Sequence, residues 1–380
     1  MIRIGIVAGE TSGDLLGANL ITAVREQYPD IEVTGIGGDK LVKAGCRCLY
    51  PMERLSVMGI IEVGSRFFEL LMIRQRLKKY FLENPPDVFI GVDAPDFNFT
   101  LERALKNAGI KTIHYVSPSI WAWREYRLKK IARSVDLMLS LFPFEIPYYE
   151  KYDIPVAFVG HPLAEKIKIK PDKASARNRL NLPQDKQIIA LMPGSRKSEL
   201  GQLIIPFIET AILCDKQNSF HYIAGLTNED AKNTFLNKLA NVAPGLSVSV
   251  YIGQSLDVME AADVILLASG TVALEAMLLK RPMVVAYKLN RVTYEIAKRM
   301  VRIPFVSLPN ILAGRQIIPE CLQENCTPEL LQKALLSWLE NKQSILALEE
   351  EFTKLHQKLL SPDDRTLGTV VLDLINANPK

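Results

Sequence analysis

Ser269, Gly270 and Thr271 follow the apolar run Val264–Ala268 (VILLA) and precede Val272–Lys280, a run of helix formers. A buried strand, a turn with glycine and a helix make an anion site. Backbone N–H groups gather at the helix N-terminus, and Gly270 lets a phosphate approach the chain closely. The hydroxyls flanking the glycine are expected to cap the helix. Glu275, one turn further, can accept the paired hydroxyls of a sugar. Lys280-Arg281-Pro282 ends the helix with cations and a proline, and Met283–Ala286 reads as the next strand. An ordinary capped β-turn-α-β unit also fits this stretch taken alone.

A second turn of similar character is Met192-Pro193-Gly194-Ser195-Arg196. Glycine, serine and a guanidinium able to bind phosphate oxygens in pairs suit a diphosphate. It lacks the Gly-Lys-Ser/Thr ending of a P-loop. Gly9–Asp14 (GETSGD) misses the dinucleotide fingerprint, and Glu10 and Asp14 would repel a pyrophosphate. Asp93, straight off an apolar strand, has the place of a general base toward a hydroxyl, or of a turn residue. Asp96 reads as a helix N-cap. His114 reads as a core histidine, and His161 stays open between a structural and a functional role.

Leu55–Phe81 (LSVMGIIEVGSRFFELLMIRQRLKKYF) is apolar and basic at once. Met58, Phe67, Phe68, Leu71, Met72, Leu77, Tyr80 and Phe81 interleave with Arg66, Arg74, Arg76, Lys78 and Lys79. Such a helix suits a membrane surface or an acyl-chain groove, against the alternative of a core helix with a solvated basic face. Trp121 and Trp123, followed by Arg124, Arg127, Lys129 and Lys130, form a second aromatic-basic cluster.

These residues need rigid elements behind them. The chain has 380 residues, 48% hydrophobic, enough for two domains with full cores. A net charge of +4 argues against nucleic acid as the partner. Five cysteines without zinc spacing read as thiols in a reducing compartment. No run reaches the ~18 apolar residues of a membrane span, and MIRIGIVAGE does not read as a signal peptide. Strands at Ile2–Ala8, Ile31–Ile36, Pro86–Val92, Lys111–Val116, Asp136–Leu141 and Pro155–Gly160 alternate with helices. After a lysine-rich linker plus an entry helix at 162–183, a second alternation begins at Gln187–Leu191, and from Asn310 onward the chain reads as mostly helical. The pattern predicts an α/β protein of two Rossmann-like, doubly wound domains facing a central cleft. They span 1–165 and 166–345, and C-terminal helices at 346–380 have room to pack back on the first domain.

AGETSGD (8–14), VMGIIEV (57–63), GVDAPDFN (91–98), HYVSPSIWAWR (114–124), GHPL (160–163), MPGSR (192–196), LASGTVALE (267–275) and SLPNILAGR (307–315) resemble the lipid-A-disaccharide synthase family. The motifs run in order over essentially the whole chain. Only Gly37-Gly38-Asp39-Lys40 departs from the family's pattern. The resemblance implies a GT-B glycosyltransferase that transfers 2,3-diacylglucosamine from UDP-2,3-diacylglucosamine to 2,3-diacylglucosamine 1-phosphate (lipid X), with inversion and release of UDP. It implies Asp93 as base. It implies Arg196, Ser195, Ser269, Gly270, Thr271 and Glu275 on UDP, with Asn310 at the sugar–diphosphate junction. Acceptor and lipid contacts fall to Ser12, Met58, Phe67, Phe68, Leu71, Met72, Trp121 and Trp123. No metal and no cofactor is expected. The enzyme would sit in the cytoplasm, peripherally on the anionic inner face of the inner membrane, with room for a homodimer. A UDP-sugar epimerase or a non-catalytic membrane-surface protein are the alternatives. The acyl-binding segment speaks against the first, and two phosphate-type turns against the second.

Overall fold

The computed structural model describes residues 1–55, 60–120, 127–289, 294, 304–362 and 366–377, and of 60–67 the backbone alone. Met58, Trp121 and Trp123 lie outside the described residues, as does the side chain of Phe67. The chain divides into two compact units. The first is Met1–Pro162 with Leu359–Lys380, the second Leu163–Lys358.

The first unit runs β1 (Ile2–Ala8), α1 (Thr11–Gln27), β2 (Ile31–Gly37), α2 (Asp39–Lys43), β3 (Cys46–Pro51), α3 (Ile60–Glu83), β4 (Val88–Val92), α4 (Pro95–Lys106) and β5 (Lys111–Tyr115), then α5 (Leu128–Ala132), β6 (Leu137–Ser140), α6 (Ile146–Glu150) and β7 (Val156–Phe158). Its seven strands pair in parallel in the order β3-β2-β1-β4-β5-β6-β7. Nearly continuous apolar runs form the central strands because helices cover both faces. Ile4, Ile6, Val88 and Ile90 pack on one side, and Val7, Phe89, Leu77 and Phe81 on the other. Strand order reverses between β1 and β4, the place where such sheets bind ligands beyond the strand ends.

Asp14, in the first turn of α1, is 3% exposed. Its carboxylate accepts from the amides of Gly38 (2.8 Å), Lys40 (3.0 Å) and Leu41 (3.0 Å), closing the loop after β2. β3 was not expected. Its sequence CRCLYP is only half-buried at the sheet's edge, so its hydrophobic pattern is weak.

The second unit comprises α7 (Pro162–Lys166), α8 (Lys173–Arg179), β8 (Ile188–Met192), α9 (Lys197–Asp215), β9 (His221–Leu226), α10 (Glu229–Val242), β10 (Val248–Ile252), α11 (Ser255–Ala261), β11 (Val264–Ala268), α12 (Thr271–Leu278) and β12 (Met283–Tyr287), then α13 (Leu308–Ala313), β13 (Glu320–Leu322), α14 (Pro328–Glu340) and α15 (Lys342–Lys358). Its parallel sheet has the order β10-β9-β8-β11-β12-β13 and reverses between β8 and β11. β13 interrupts the stretch expected to be helical beyond Asn310. Three residues are too few to show a period.

The lysine-rich stretch expected as a linker plus an entry helix belongs to this unit from Leu163 onward, and α8 is a helix within it. Arg177 of α8 is buried, and it donates to Asp263 (2.7 Å) and to the carbonyls of Ala261 and Gln184. The expected boundary at 345/346 falls inside α15, and the chain returns to the first unit at Leu359. There α16 (Leu367–Asn376) packs on α1, so closely that a Cβ on Gly368 would stand 2.4 Å from the carbonyl oxygen of Ala23.

Candidate active site

In the second unit a cavity of about 420 Å³ opens at the carboxyl ends of β8, β9, β10 and β11, across the point where strand order reverses. β11 is wholly buried and delivers Ser269 and Gly270 to its wall. Gly270 is the N-cap of α12 in extended backbone (φ 162°), and nothing lies within 4 Å of where its Cβ would be. The chain is therefore approachable there. The expected hydroxyl caps are not formed: among the described residues no side chain caps α12, and Ser269 Oγ donates instead to Val306 O at 3.3 Å. Thr271 is the first helical residue, and with Val272 it lines the cavity at an uncapped helix N-terminus. That end carries the positive pole of the helix and amides without intrahelical partners. Glu275 lies on the same wall. Burial raises its pKa, opposed by Lys166.

The facing wall is the turn after β8. Gly194 has φ +107°, and Arg196 caps α9 in extended backbone. Glu199 gathers this turn. Its Oε2 accepts from the amides of Ser195 (3.0 Å) and Arg196 (3.2 Å), and its Oε1 from Arg196 Nη1 (2.7 Å). Asn310 is not on the cavity wall. It is fully buried with its amide saturated: it donates to Ile318 O and Glu320 Oε1, and accepts from the amides of Ile317 and Ile318. Glu320 also takes Ser307 and the amide of Val306, so Asn310 organises the loop that receives Ser269.

In the first unit the strand ends at the reversal point carry Gly9-Glu10 and Asp93-Ala94. Asp93 (φ 53°), Ala94 (φ 44°) and Val116 (φ 82°) are all in the left-handed region. Side chains other than glycine's avoid it, at a cost of about 1–3 kcal/mol each, and such strain gathers where function demands a fixed geometry. Asp93 is half-buried, with its Oδ1 accepting from Ala94 N at 2.8 Å and its own amide donating to Tyr115 O at 2.9 Å. From beneath, Asn98 Nδ2 donates to Asp93 O at 2.8 Å. Asp96 is not the N-cap of α4. Ala94 takes that place with Pro95 following, which leaves Asp96 exposed and bonded to Arg127 at 3.0 Å. Ser12 is exposed in the first turn of α1.

His114 is in the core, bonded through Nδ1 to Glu102 Oε1 at 2.7 Å, and both are fully buried. Burial raises the Glu102 pKa against the pull of His114. His161 packs on the ring of Phe142, and burial lowers its pKa to about 4.

The family described as Lipid-A-disaccharide synthetase matches residues 4–368. The chain is 48% identical over 375 residues to the lipid-A-disaccharide synthase of Vibrio campbellii, covering 98% of each. It is 46% identical over 377 residues to that of Methylobacillus flagellatus, covering 99% of this chain and 100% of the other. The chain belongs to the lipid-A-disaccharide synthase family. Among solved structures it is similar to an S. aureus MnaA–UDP complex (TM-score 0.63, 13% identity, 100% of this chain and 99% of the other). It is also similar to a Rickettsia africae glycosyltransferase (TM-score 0.60, 13% identity, 98% and 97%). At such identity these show the fold, which is the two-domain α/β architecture of GT-B glycosyltransferases.

In this lipid-A-disaccharide synthase family member, the structure brings Ser195, Arg196, Ser269, Gly270, Thr271 and Glu275 to one cavity. Sequence reasoning passed over Glu199, and took Asn98 only as the end of the candidate stretch Asp93–Asn98. Glu199 had a signal, since a carboxylate three residues past a helix N-cap is a capping pattern. Asn98 stood in the motif GVDAPDFN without a reason of its own. On α3, Ile73, Leu77 and Phe81 are buried, whereas Phe68 is 74% and Met72 52% exposed. Leu71 is half-buried, and Arg74 lies over the ring of Phe97 at 6.0 Å. No helix among the described residues is long and apolar enough to cross a membrane.

Proposed function

We infer that this glycosyltransferase of lipid A disaccharide synthesis holds the UDP of UDP-2,3-diacylglucosamine in the 420 Å³ cavity of its second unit. We infer also that it activates the 6-hydroxyl of 2,3-diacylglucosamine 1-phosphate with Asp93. The observation that carries the reading is the pairing, across one cavity, of the uncapped N-terminus of α12 with the Arg196 turn. Diphosphate charge grows as the glycosidic bond to it breaks. Helix amides already in place stabilise that charge without reorganising, and the guanidinium of Arg196 adds its charge to theirs. Glu275 suits the hydroxyls of the nucleotide's sugar, which replace the water it loses on burial. Asp93 takes the proton of the attacking hydroxyl, and attack opposite the leaving UDP inverts the anomeric carbon. The strained turn and Asn98 hold the base in place. Asn310 serves the donor indirectly, by fixing the loop behind Ser269.

Both lipids keep their acyl chains in a bilayer. Phe68, Met72, Arg76 and Lys79 recur at helical spacing on the exposed side of α3, an apolar half followed by a basic half. This stripe suits the boundary of an anionic membrane, with Leu71 at its edge. Met58, Phe67, Trp121 and Trp123 are further candidates. This exposed stripe supports peripheral attachment, which the reading places on the inner face of the inner membrane. The test is UDP release by purified protein given both lipids, and each lipid alone. Release with the donor alone at the full rate would make the protein a UDP-sugar hydrolase, and an epimeric UDP-sugar formed without UDP release would make it an epimerase.

A further inference from the structure

One wall of the nucleotide cavity already carries an anion. The amides of Ser195 and Arg196, which lie where a phosphate would be cradled, both donate to Glu199 Oε2, and Arg196 Nη1 donates to Oε1. The turn is shaped to this carboxylate: a Cβ on Gly194 would stand 2.4 Å from Oε2. The two partners are held unequally. The side chain of Glu199 is 15% exposed and tied to two backbone amides, whereas that of Arg196 is 78% exposed. The opposite wall, at the start of α12, has no such carboxylate capping it among the described residues.

We propose that Glu199 is an exchangeable counter-anion for Arg196. It holds the guanidinium between turnovers, yields it to the diphosphate of the nucleotide, and takes it back as UDP leaves. The proposal rests on the reading of this cavity as the UDP site. Carboxylate and phosphate compete for the same fork of N–H donors. Arg196 is exposed enough to turn from one to the other without disturbing packing, while Glu199 stays on its amides. Each nucleotide that binds must displace this pair, so UDP is held less tightly than the cavity's donors allow and product leaves sooner. Glu199 is thus a positioning residue that sets product affinity.

Glu199→Gln separates the charge from the shape, because the amide oxygen can still accept from Ser195 and Arg196. Calorimetry with UDP is expected to show binding about threefold to tenfold tighter in this variant, with the gain shrinking in high salt. The same substitution in an Arg196→Ala background should bring no gain. Equal or weaker binding by Glu199→Gln overturns the proposal, since Glu199 would then only shape the turn. An equal gain in both backgrounds overturns it too, because Glu199 would merely repel the diphosphate. Should the variant not fold, the wild type decides: the Arg196 side-chain NMR signal, assigned from Arg196→Lys, should move on adding UDP, and an unmoved signal overturns the exchange. A wild type that takes up no UDP would remove the underlying reading, and the proposal with it.

Discussion

Asp93→Asn should separate catalysis from architecture. Asp93 does two structural things besides offering a carboxylate: it occupies φ 53°, and its Oδ1 accepts from Ala94 N at 2.8 Å. Asparagine can do both, being nearly as tolerant of the left-handed region and having the same acceptor at Oδ1. Its stability should therefore stay within about 0.5 kcal/mol of wild type. Turnover should fall by about 10² to 10⁴, the range for a lost general base. That is about 2.7 to 5.4 kcal/mol of barrier at about 1.36 kcal/mol per tenfold. Asp93→Ala loses the bond to Ala94 and strains a β-carbon at positive φ without compensation, adding about 1–2 kcal/mol of instability to the same catalytic loss. The assay is UDP release with both lipids at saturation, alongside calorimetry with UDP and a thermal melt. Expected is a melt and a UDP affinity like wild type's, with kcat collapsed. A folded Asn variant that turns over within about threefold of wild type would show that Asp93 is a turn residue and not the base.

Arg196→Ala should weaken UDP binding and slow transfer together, since one charge meets the bound and the departing diphosphate; unchanged calorimetry and rate would leave it a solvated turn residue. Activity is expected to survive EDTA, and a loss that Mg²⁺ restores would contradict the metal-free mechanism. Phe68→Ser with Met72→Ser should keep the fold, because both side chains are largely exposed, and should reduce binding to anionic liposomes while raising KM for the acceptor. Liposome binding unchanged in the folded double variant would move the membrane contact elsewhere. His161 has its pKa lowered to about 4 by burial, from an ordinary 6.5. Between those values the unfolded chain binds the proton and the folded one does not. Stability should therefore fall as pH drops from about 6.5 to 4, by at most about 3 kcal/mol. Urea midpoints across that window test it: a His161→Gln variant that is stable but keeps the same slope would assign the loss to other groups.

Much of this was legible because the chain states it locally. Val264–Ala268 is apolar throughout, Ser269-Gly270 breaks it, and Lys280-Arg281-Pro282 ends the helix, so strand, turn and helix follow from neighbours within one stretch. What escaped depends on partners far along the chain or on elements without a period. Nothing near Asp14 says that its carboxylate will meet amides at Gly38, Lys40 and Leu41. The family resemblance implied Asn310 at the sugar–diphosphate junction; the folded loop takes both donors and both acceptor positions of its amide. Ser269 and Thr271 were plausible caps by type, yet a hydroxyl caps only when its backbone places it so, and Val306 claims Ser269 first. β3 and β13 sit at the sheet edges, where short, half-polar strands carry little signal.

The carboxylate of Asp14 has a consequence for stoichiometry. The two units share a strand-order reversal and a turn-helix element beside it, an arrangement that in principle offers a phosphate site in each. In the first unit the amides after β2 are claimed by a buried acidic side chain that no solute can dislodge without opening the core. A buried acid in the first turn of α1 thus makes the helix beside this reversal unlike α12. A titration should count one nucleotide for each chain, leaving the strand ends around Asp93 to a ligand chosen by its hydroxyl.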